Sequence, residues 1–175
     1  VPELEIGIPS MGEQERDEIK AIAALNLPSE LLVWSRMRRE DLGHCLQLGV
    51  SKVDLSISAS DQHIQHKLNK SRAWVLDNID YCVKAAIDAG LKVCVGAEDA
   101  SRADSGFLAK MAEAAQKAGA SRIRFADTLG IMEPFGVLDA IRHLRSATDM
   151  EIEMHAHDDL GLATANTLAA AVAGA

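Results

Sequence analysis

The sequence predicts an α/β fold, most of a (β/α)8 TIM barrel, from three observations. A unit of short apolar strand, loop and amphipathic helix recurs six times at a spacing of about 28 residues. Several strands alternate apolar with charged residues: Glu3 and Glu5 oppose Leu4 and Ile6, and Arg122 and Arg124 oppose Ile123 and Phe125. No Gly-rich dinucleotide or phosphate loop follows the first strand. Repeated βα units imply a parallel sheet with right-handed crossovers. A doubly wound sheet, covered on both faces, shows near-continuous apolar strands. A polar second face instead fits the interior of a barrel near its mouth. Six units would be three-quarters of that barrel, a partial barrel domain over residues 1–175.

The elements follow in order. A first strand is expected at residues 4–8 and a helix at 13–25. The second unit places a strand at 30–34 and a helix at 40–48. In the third, a strand at 53–57 leads through a polar loop to a helix at 72–89. There Val75, Ile79, Cys82, Val83 and Ala86 form one apolar stripe at helical spacing, and Gly90 marks the stop. The fourth unit is a strand at 91–95 and a helix at 105–118, closed by Gly119. The fifth is 121–125 with a helix at 134–144, and the sixth 150–155 with a helix at 163–172.

Composition narrows the function classes. With 175 residues the chain can bury a real core, and with 48% hydrophobic but 3% aromatic residues that core is built from Ala, Val, Ile and Leu. A net charge of −8 argues against non-specific binding to nucleic acid or to an anionic membrane. The longest apolar run, near 168–175, is too short to span a bilayer, and no signal peptide is visible. Cys45, Cys82 and Cys94 are odd in number and outside any CxxC pair, so they read as reduced, packed thiols of a cytoplasmic protein. The opening Val1-Pro2 and the stop at Ala175 within a helix pattern read as cuts through a larger protein.

Barrel active sites lie at the C-terminal ends of the strands. The strongest signal there is Glu153-Met154-His155-Ala156-His157-Asp158. Two histidines two residues apart on a strand share a face, just before a βα loop, where they can hold a divalent metal. Also at strand ends are Glu5, Ser35, Arg36, Asp54, Ser56, Ser58, Glu98, Asp99, Arg102, Asp127 and Thr128. Glu98, Asp99 and Arg102 read equally well as a loop ion pair, and Asp127-Thr128 as turn chemistry. His63 and His66, in a polar segment with Lys67 and Lys70, read as solvated; Trp34 and Trp74 read as packing. Two histidines do not complete a site, and a hard or borderline cation also wants carboxylate or water.

The segment His155-Ala156-His157-Asp158-Asp159-Leu160-Gly161-Leu162-Ala163 with Ala165-Asn166 resembles the HxHxDxGxAxAN signature of the metal-dependent Claisen-condensation barrels. These are the 2-isopropylmalate, homocitrate and citramalate synthases, with hydroxymethylglutaryl-CoA lyase more distant. Four further segments resemble family motifs in family order: Glu5-Ile6-Gly7-Ile8-Pro9, Ser60-Asp61-Gln62-His63 with Lys67-Leu68, Glu98-Asp99-Ala100-Ser101-Arg102, and Asp127-Thr128-Leu129-Gly130. Within the family, Trp34-Ser35-Arg36 and the run from Val95 to Arg102 resemble homocitrate synthases of the nitrogen-fixation type.

The resemblance implies an acyltransferase that condenses acetyl-CoA with a 2-oxo acid, 2-oxoglutarate being favoured, on a divalent metal (Mn, Mg, Zn, Co or Fe). It implies His155 and His157 as metal ligands and Glu5 and Glu98 as catalytic carboxylates. Thr128, Arg36 and Glu153 would serve the substrate and the metal surroundings, in a cytoplasmic homodimer. The alternatives are 2-isopropylmalate or citramalate synthase, or a non-catalytic metal-binding fragment. The family's first-strand motif D-x-T-L-R-D-G-E-Q, the expected source of a carboxylate ligand and an arginine, is absent from the sequence, as is the later GERxGN segment. The chain is therefore expected to be a partial barrel lacking the first strand and the last units. By itself it would bind metal weakly, show little or no turnover and expose two strand edges.

Overall fold

The computed structural model describes residues 1–175. Six strands form one parallel sheet in sequence order: β1 (Glu3–Glu5), β2 (Glu30–Arg36), β3 (Lys52–Ser58), β4 (Lys92–Glu98), β5 (Arg122–Asp127) and β6 (Glu151–Ala156). Every strand pairs only with its sequence neighbours. The order never reverses, as it must in a doubly wound sheet, so the sheet curls in one direction as part of a barrel. The helices are α1 (Glu13–Ala23), α2 (Arg39–Cys45), α3 (Asp61–His66), α4 (Arg72–Asp88), α5 (Ser105–Ala118), α6 (Pro134–Ala147) and α7 (Ala163–Ala173). None is long and apolar enough to cross a membrane.

The alternation along the strands divides two environments. Val33, Val53, Leu55, Val93, Val95, Ile123 and Phe125 are fully buried against the helices. There they meet Val75, Ile79, Val83, Met111, Ala115, Ile141 and Leu144 in one continuous core. Burying each larger side chain is worth ~1.5–3 kcal/mol. The opposite parity carries Glu3, Glu5, Lys52, Asp54, Arg122, Arg124 and Glu153 into the barrel interior, where they form ion pairs. Arg122 on β5 reaches Glu3 on β1 at 2.5 Å, and Arg124 reaches Glu5 at 2.7 Å. In a flat sheet β1 and β5 would stand roughly 19 Å apart. These pairs cross the interior of a curled one.

Helix ends follow local chemistry. Ser71 accepts from the Trp74 N–H, Asp104 from that of Phe107, and Glu133 from those of Phe135 and Gly136 ahead of Pro134. The expected stripe on α4 is buried along its whole length. Two differences from the sequence expectation bear on the site. The polar loop after β3 forms a helix, α3, capped by Ser60 and holding one buried apolar residue, Ile64. One apolar residue sets no period, so the pattern hid it. Strands β4 and β5 also run past the apolar residues to Glu98 and Asp127, so those carboxylates are held by the sheet ladder instead of a loose loop. The three cysteines are free and buried.

Candidate active site

A cleft of about 310 Å³ opens at the C-terminal ends of the strands. It is lined by Glu5 and Ile8 after β1, Trp34 on β2, Ser56 on β3, Glu98 on β4, Arg124, Ala126 and Thr128 along β5, and His155 and His157 at the end of β6. Five of the seven residues given site roles by the family resemblance therefore meet in one place: Glu5, Glu98, Thr128, His155 and His157.

The two imidazoles converge, with their Nε2 atoms 3.1 Å apart and the ring centroids at 5.1 Å. Partial desolvation of its ring at the cleft lowers the pKa of His155, and the positive charge of Arg124 and the neighbouring His157 lower it further, although the residue stays open to solvent. The neutral, ligating form is thereby favoured. Two nitrogens each ~2.0–2.1 Å from one divalent ion, at tetrahedral to square angles, lie about 2.8–3.4 Å apart. The observed separation falls in that range, so the pair fits adjacent ligands of one cation. No cluster of three or more His, Cys, Asp or Glu capable of holding a metal is assembled here. The chain thus provides two donors, and Glu5, the carboxylate in the same cleft, is bound to Arg124.

Thr128 is held by an unusual neighbour. Asp99 takes the left-handed conformation (φ 60°) and points its N–H at Thr128 Oγ1, 2.8 Å away. That bond uses the oxygen as acceptor and leaves the hydroxyl hydrogen to donate into the cleft. Asp99 itself is fully buried and accepts from Ser60 at 2.5 Å and from the Arg102 fork. Burial alone would raise its pKa, but the hydrogen bonds from Arg102 and Ser60 outweigh burial and hold the carboxyl below its usual range. His63 borders this cluster, with Nδ1 3.6 Å from Asp99 and Nε2 3.3 Å from Arg102. It is therefore half-buried rather than solvated, because α3 docks it there. His66 is exposed, as expected. Glu98 meets Lys67 and keeps its place in the cleft, so the ion pair in this loop is Asp99 with Arg102.

Asp127 accepts from the N–H groups of Ile131 and Met132 and closes the turn after β5. Within that turn Gly130 (φ +58°) is pressed so closely by Asp159 that a Cβ would lie 2.3 Å from its Oδ2. Asn166 of α7 donates to the Met132 carbonyl at 2.9 Å, and Asp158 accepts from Ala163 N–H. Asp127, Gly130, Asp158 and Asn166 therefore build the loops that present Thr128 and His157.

Two residues expected at the site stand apart from the cleft lining. Arg36 pairs with Asp41 at 2.5 Å and lines a smaller neighbouring pocket with Arg38, Lys67 and Trp74. Glu153 turns below the cleft to Arg124 (2.7 Å) and Arg122 (3.1 Å), because it lies one interior position beneath His155 on β6. Conversely, Trp34 reads as packing in the sequence but lines the cleft, where its Nε1 donates to Ser56 Oγ at 3.0 Å. Arg124 forms the cleft floor and pairs with Asp54 at 2.6 Å. Burial raises the pKa of Asp54 to about 7; Arg124 pulls it down, and Glu153 pushes it up. Gly96, beside them on β4, leaves the room, since a Cβ there would lie 1.9 Å from Ser56 Oγ.

Comparison with known proteins matches residues 1–175 to the HMGL-like family model. The chain is 46% identical over its full length to 2-isopropylmalate synthase 2 of Caldanaerobacter subterraneus subsp. tengcongensis, of which it covers 46%. It is 42% identical, again over its full length, to the homocitrate synthase subunit alpha of Clostridium pasteurianum, covering 65% of that protein. Homocitrate synthase 1 of a Nostoc species is 43% identical, with 46% covered. The chain thus spans about half to two-thirds of the length of these relatives. Among solved structures, the HMG-CoA lyase of Bacillus subtilis superposes with a TM-score of 0.84 at 22% identity, over 99% of this chain and 62% of the lyase. The lyase of Brucella melitensis gives 0.81 at 18%, over 99% and 65%.

Proposed function

The chain belongs to the HMGL-like family, and from that premise we propose that it forms the metal-holding face of a condensing acyltransferase that joins acetyl-CoA to a 2-oxo acid. The observation that carries this reading is the convergence of His155 and His157 opposite Glu5, Glu98 and Thr128 in one cleft. In this reading His155 and His157 hold a divalent cation, whose remaining positions take a further carboxylate or water. Bound there, the cation supplies Lewis acidity toward the 2-oxo acid.

The chain's own side chains take the other tasks. The Thr128 hydroxyl donates to the carboxylate of the 2-oxo acid and fixes its orientation. Glu5 or Glu98 accepts the methyl proton of acetyl-CoA. The resulting enolate carbon bonds to the keto carbon, the keto oxygen gains a proton as an alcohol, and hydrolysis of the thioester releases CoA. Trp34 and Ile8 line one side of the cleft.

We favour 2-oxoglutarate as the acid, which makes the product homocitrate. The support is the Trp34-Ser35-Arg36 segment, the Val95–Arg102 run and the named homocitrate synthases among the relatives. A 2-isopropylmalate synthase is the second reading, favoured by the 46% identity to a protein of that name. The three buried free thiols fit a cytoplasmic enzyme, and a homodimer is the proposed assembly.

The test is CoA release by the full-length protein, with and without a chelator, against 2-oxoglutarate, 2-oxoisovalerate and pyruvate. Chelator-sensitive release with 2-oxoglutarate alone, abolished in His155→Ala, is the expected result. Release with another acid would keep the chemistry and change the substrate. No release with any of the three from folded, metal-loaded protein would overturn the reading.

A further inference from the structure

Arg124 lies between two cavities: the cleft above and a larger charged space below, with its side chain only 8% exposed. Its three nitrogens each meet a carboxylate from a different strand. Nε lies 2.7 Å from Glu153 on β6, Nη1 lies 2.6 Å from Asp54 on β3, and Nη2 donates to Glu5 on β1 at 2.7 Å. The contacts with Glu153 and Asp54 are ion pairs without hydrogen-bond alignment, leaving Arg124 Nε and Asp54 Oδ2 without a hydrogen-bond partner; these two carboxylates hold the guanidinium by charge, and its aligned hydrogen bond goes to Glu5. Asp54 is wholly buried and Glu153 half-buried, and both are anchored in the sheet.

Glu5 is the partner that faces the cleft, at the C-terminal end of β1. Of the three carboxylates around Arg124, it alone lines the cleft with the two histidines.

We propose that Arg124 is a positioning residue, anchored by the charges of Asp54 and Glu153, that holds the Glu5 carboxylate in the cleft beside His155 and His157. The role rests on the condensing reading above, in which Glu5 is an active-site carboxylate. It explains why a charged residue occupies the barrel interior, where apolar packing alone would ask for a branched aliphatic side chain.

The test uses the full-length protein. Arg124→Lys keeps a cation for buried Asp54 but cannot serve three carboxylates. Arg124→Ala opens a space the size of methylguanidinium. In both, kcat for CoA release is expected to fall roughly tenfold to a hundredfold, with KM for the 2-oxo acid within about threefold. Added methylguanidinium is expected to restore kcat in Arg124→Ala and to do nothing for Glu5→Gln. Glu5→Gln combined with Arg124→Ala is expected to be no slower than Glu5→Gln alone. Wild-type kcat in Arg124→Lys, or multiplicative losses in the double variant, would overturn the role.

A crystal structure of Arg124→Lys decides the same point without any assay. Glu5 displaced or disordered supports the proposal, and Glu5 unmoved sinks it. Absence of CoA release from the wild type would instead count against the condensing reading, leaving the crystallographic answer to decide the role of Arg124.

Discussion

The backbone N–H of Asp99 donates to Thr128 Oγ1 at 2.8 Å, and it can do so because Asp99 sits in the left-handed region at φ 60°. Two loops from neighbouring strands are thereby joined at the cleft. Thr128→Ser keeps the hydroxyl and is expected to retain most activity. Thr128→Val keeps the shape but leaves the Asp99 N–H without its partner, a cost of ~1–3 kcal/mol. It also removes the donor proposed for the 2-oxo acid. The expected signature is a lower melting temperature together with a KM for the acid raised at least tenfold, read by calorimetry and steady-state kinetics. A Thr128→Val enzyme with unchanged KM would remove Thr128 from substrate binding.

Asp54 gives the interior a pH dependence. Its pKa is raised to about 7 in the folded chain, mainly by burial, against 3.8 as the ordinary value. A carboxyl raised on folding binds more protons in the native state than in the unfolded one. Its contribution to stability is therefore complete below about pH 4 and is lost as pH rises to about 7. The slope is at most ~1.4 kcal/mol per pH unit for one group. Asp54→Asn cannot titrate. Denaturant melts of wild type and Asp54→Asn from pH 4 to 8 are expected to move in favour of the variant as pH rises. Parallel curves would mean that Asp54 stays ionised throughout, held by Arg124.

Gly130 tests how far the turn after β5 governs the histidines. A side chain there meets both a positive φ and Asp159, the neighbour of the His157-Asp158 pair, 2.3 Å from the new carbon. Gly130→Ala is expected to cost ~1–3 kcal/mol of stability and to push the β6 loop outward. Divalent-ion binding, followed by isothermal titration, should weaken with it. If melting temperature falls while metal affinity holds, the turn and the histidine loop are independent.

Much of this was legible in the amino-acid order. The alternation at Arg122–Phe125 and the six βα repeats announce a barrel, and the HxH spacing puts two imidazoles on one face. What escaped is what depends on curvature. Glu153 and His155 share a face in the sequence pattern, yet one interior step separates the cleft from the space beneath it. Trp34 reads as packing because an indole on a strand usually packs; only the inward parity of β2 turns it to Ser56. Arg124 shows in the sequence as one charge of an alternating pair. Its three partners come from strands 119, 70 and 29 residues away, and no local pattern encodes that meeting. His63 escaped for the opposite reason: a six-residue helix with one apolar residue, Ile64, carries too little periodicity to betray itself.

The histidine pair makes the sharpest claim about metal. His155 and His157 differ in surroundings, since partial desolvation and Arg124 hold the His155 pKa below the ordinary range. If both bind one cation, each single replacement by alanine removes a direct ligand and should cost at least as much as the loss of an outer partner. About 10–100-fold in affinity is the reference loss for disturbing even an outer partner of a metal ligand. In the full-length protein His155→Ala and His157→Ala are therefore each expected to weaken Co(II) or Mn(II) binding by about a hundredfold. Chelator treatment of the wild type should lower its melting temperature, and neither variant should respond to chelator. A variant that still binds with wild-type affinity would leave its imidazole outside the coordination sphere. The 3.1 Å separation would then be a hydrogen bond between the two imidazoles, one nitrogen donating and the other accepting, and the pair would be indifferent to chelation.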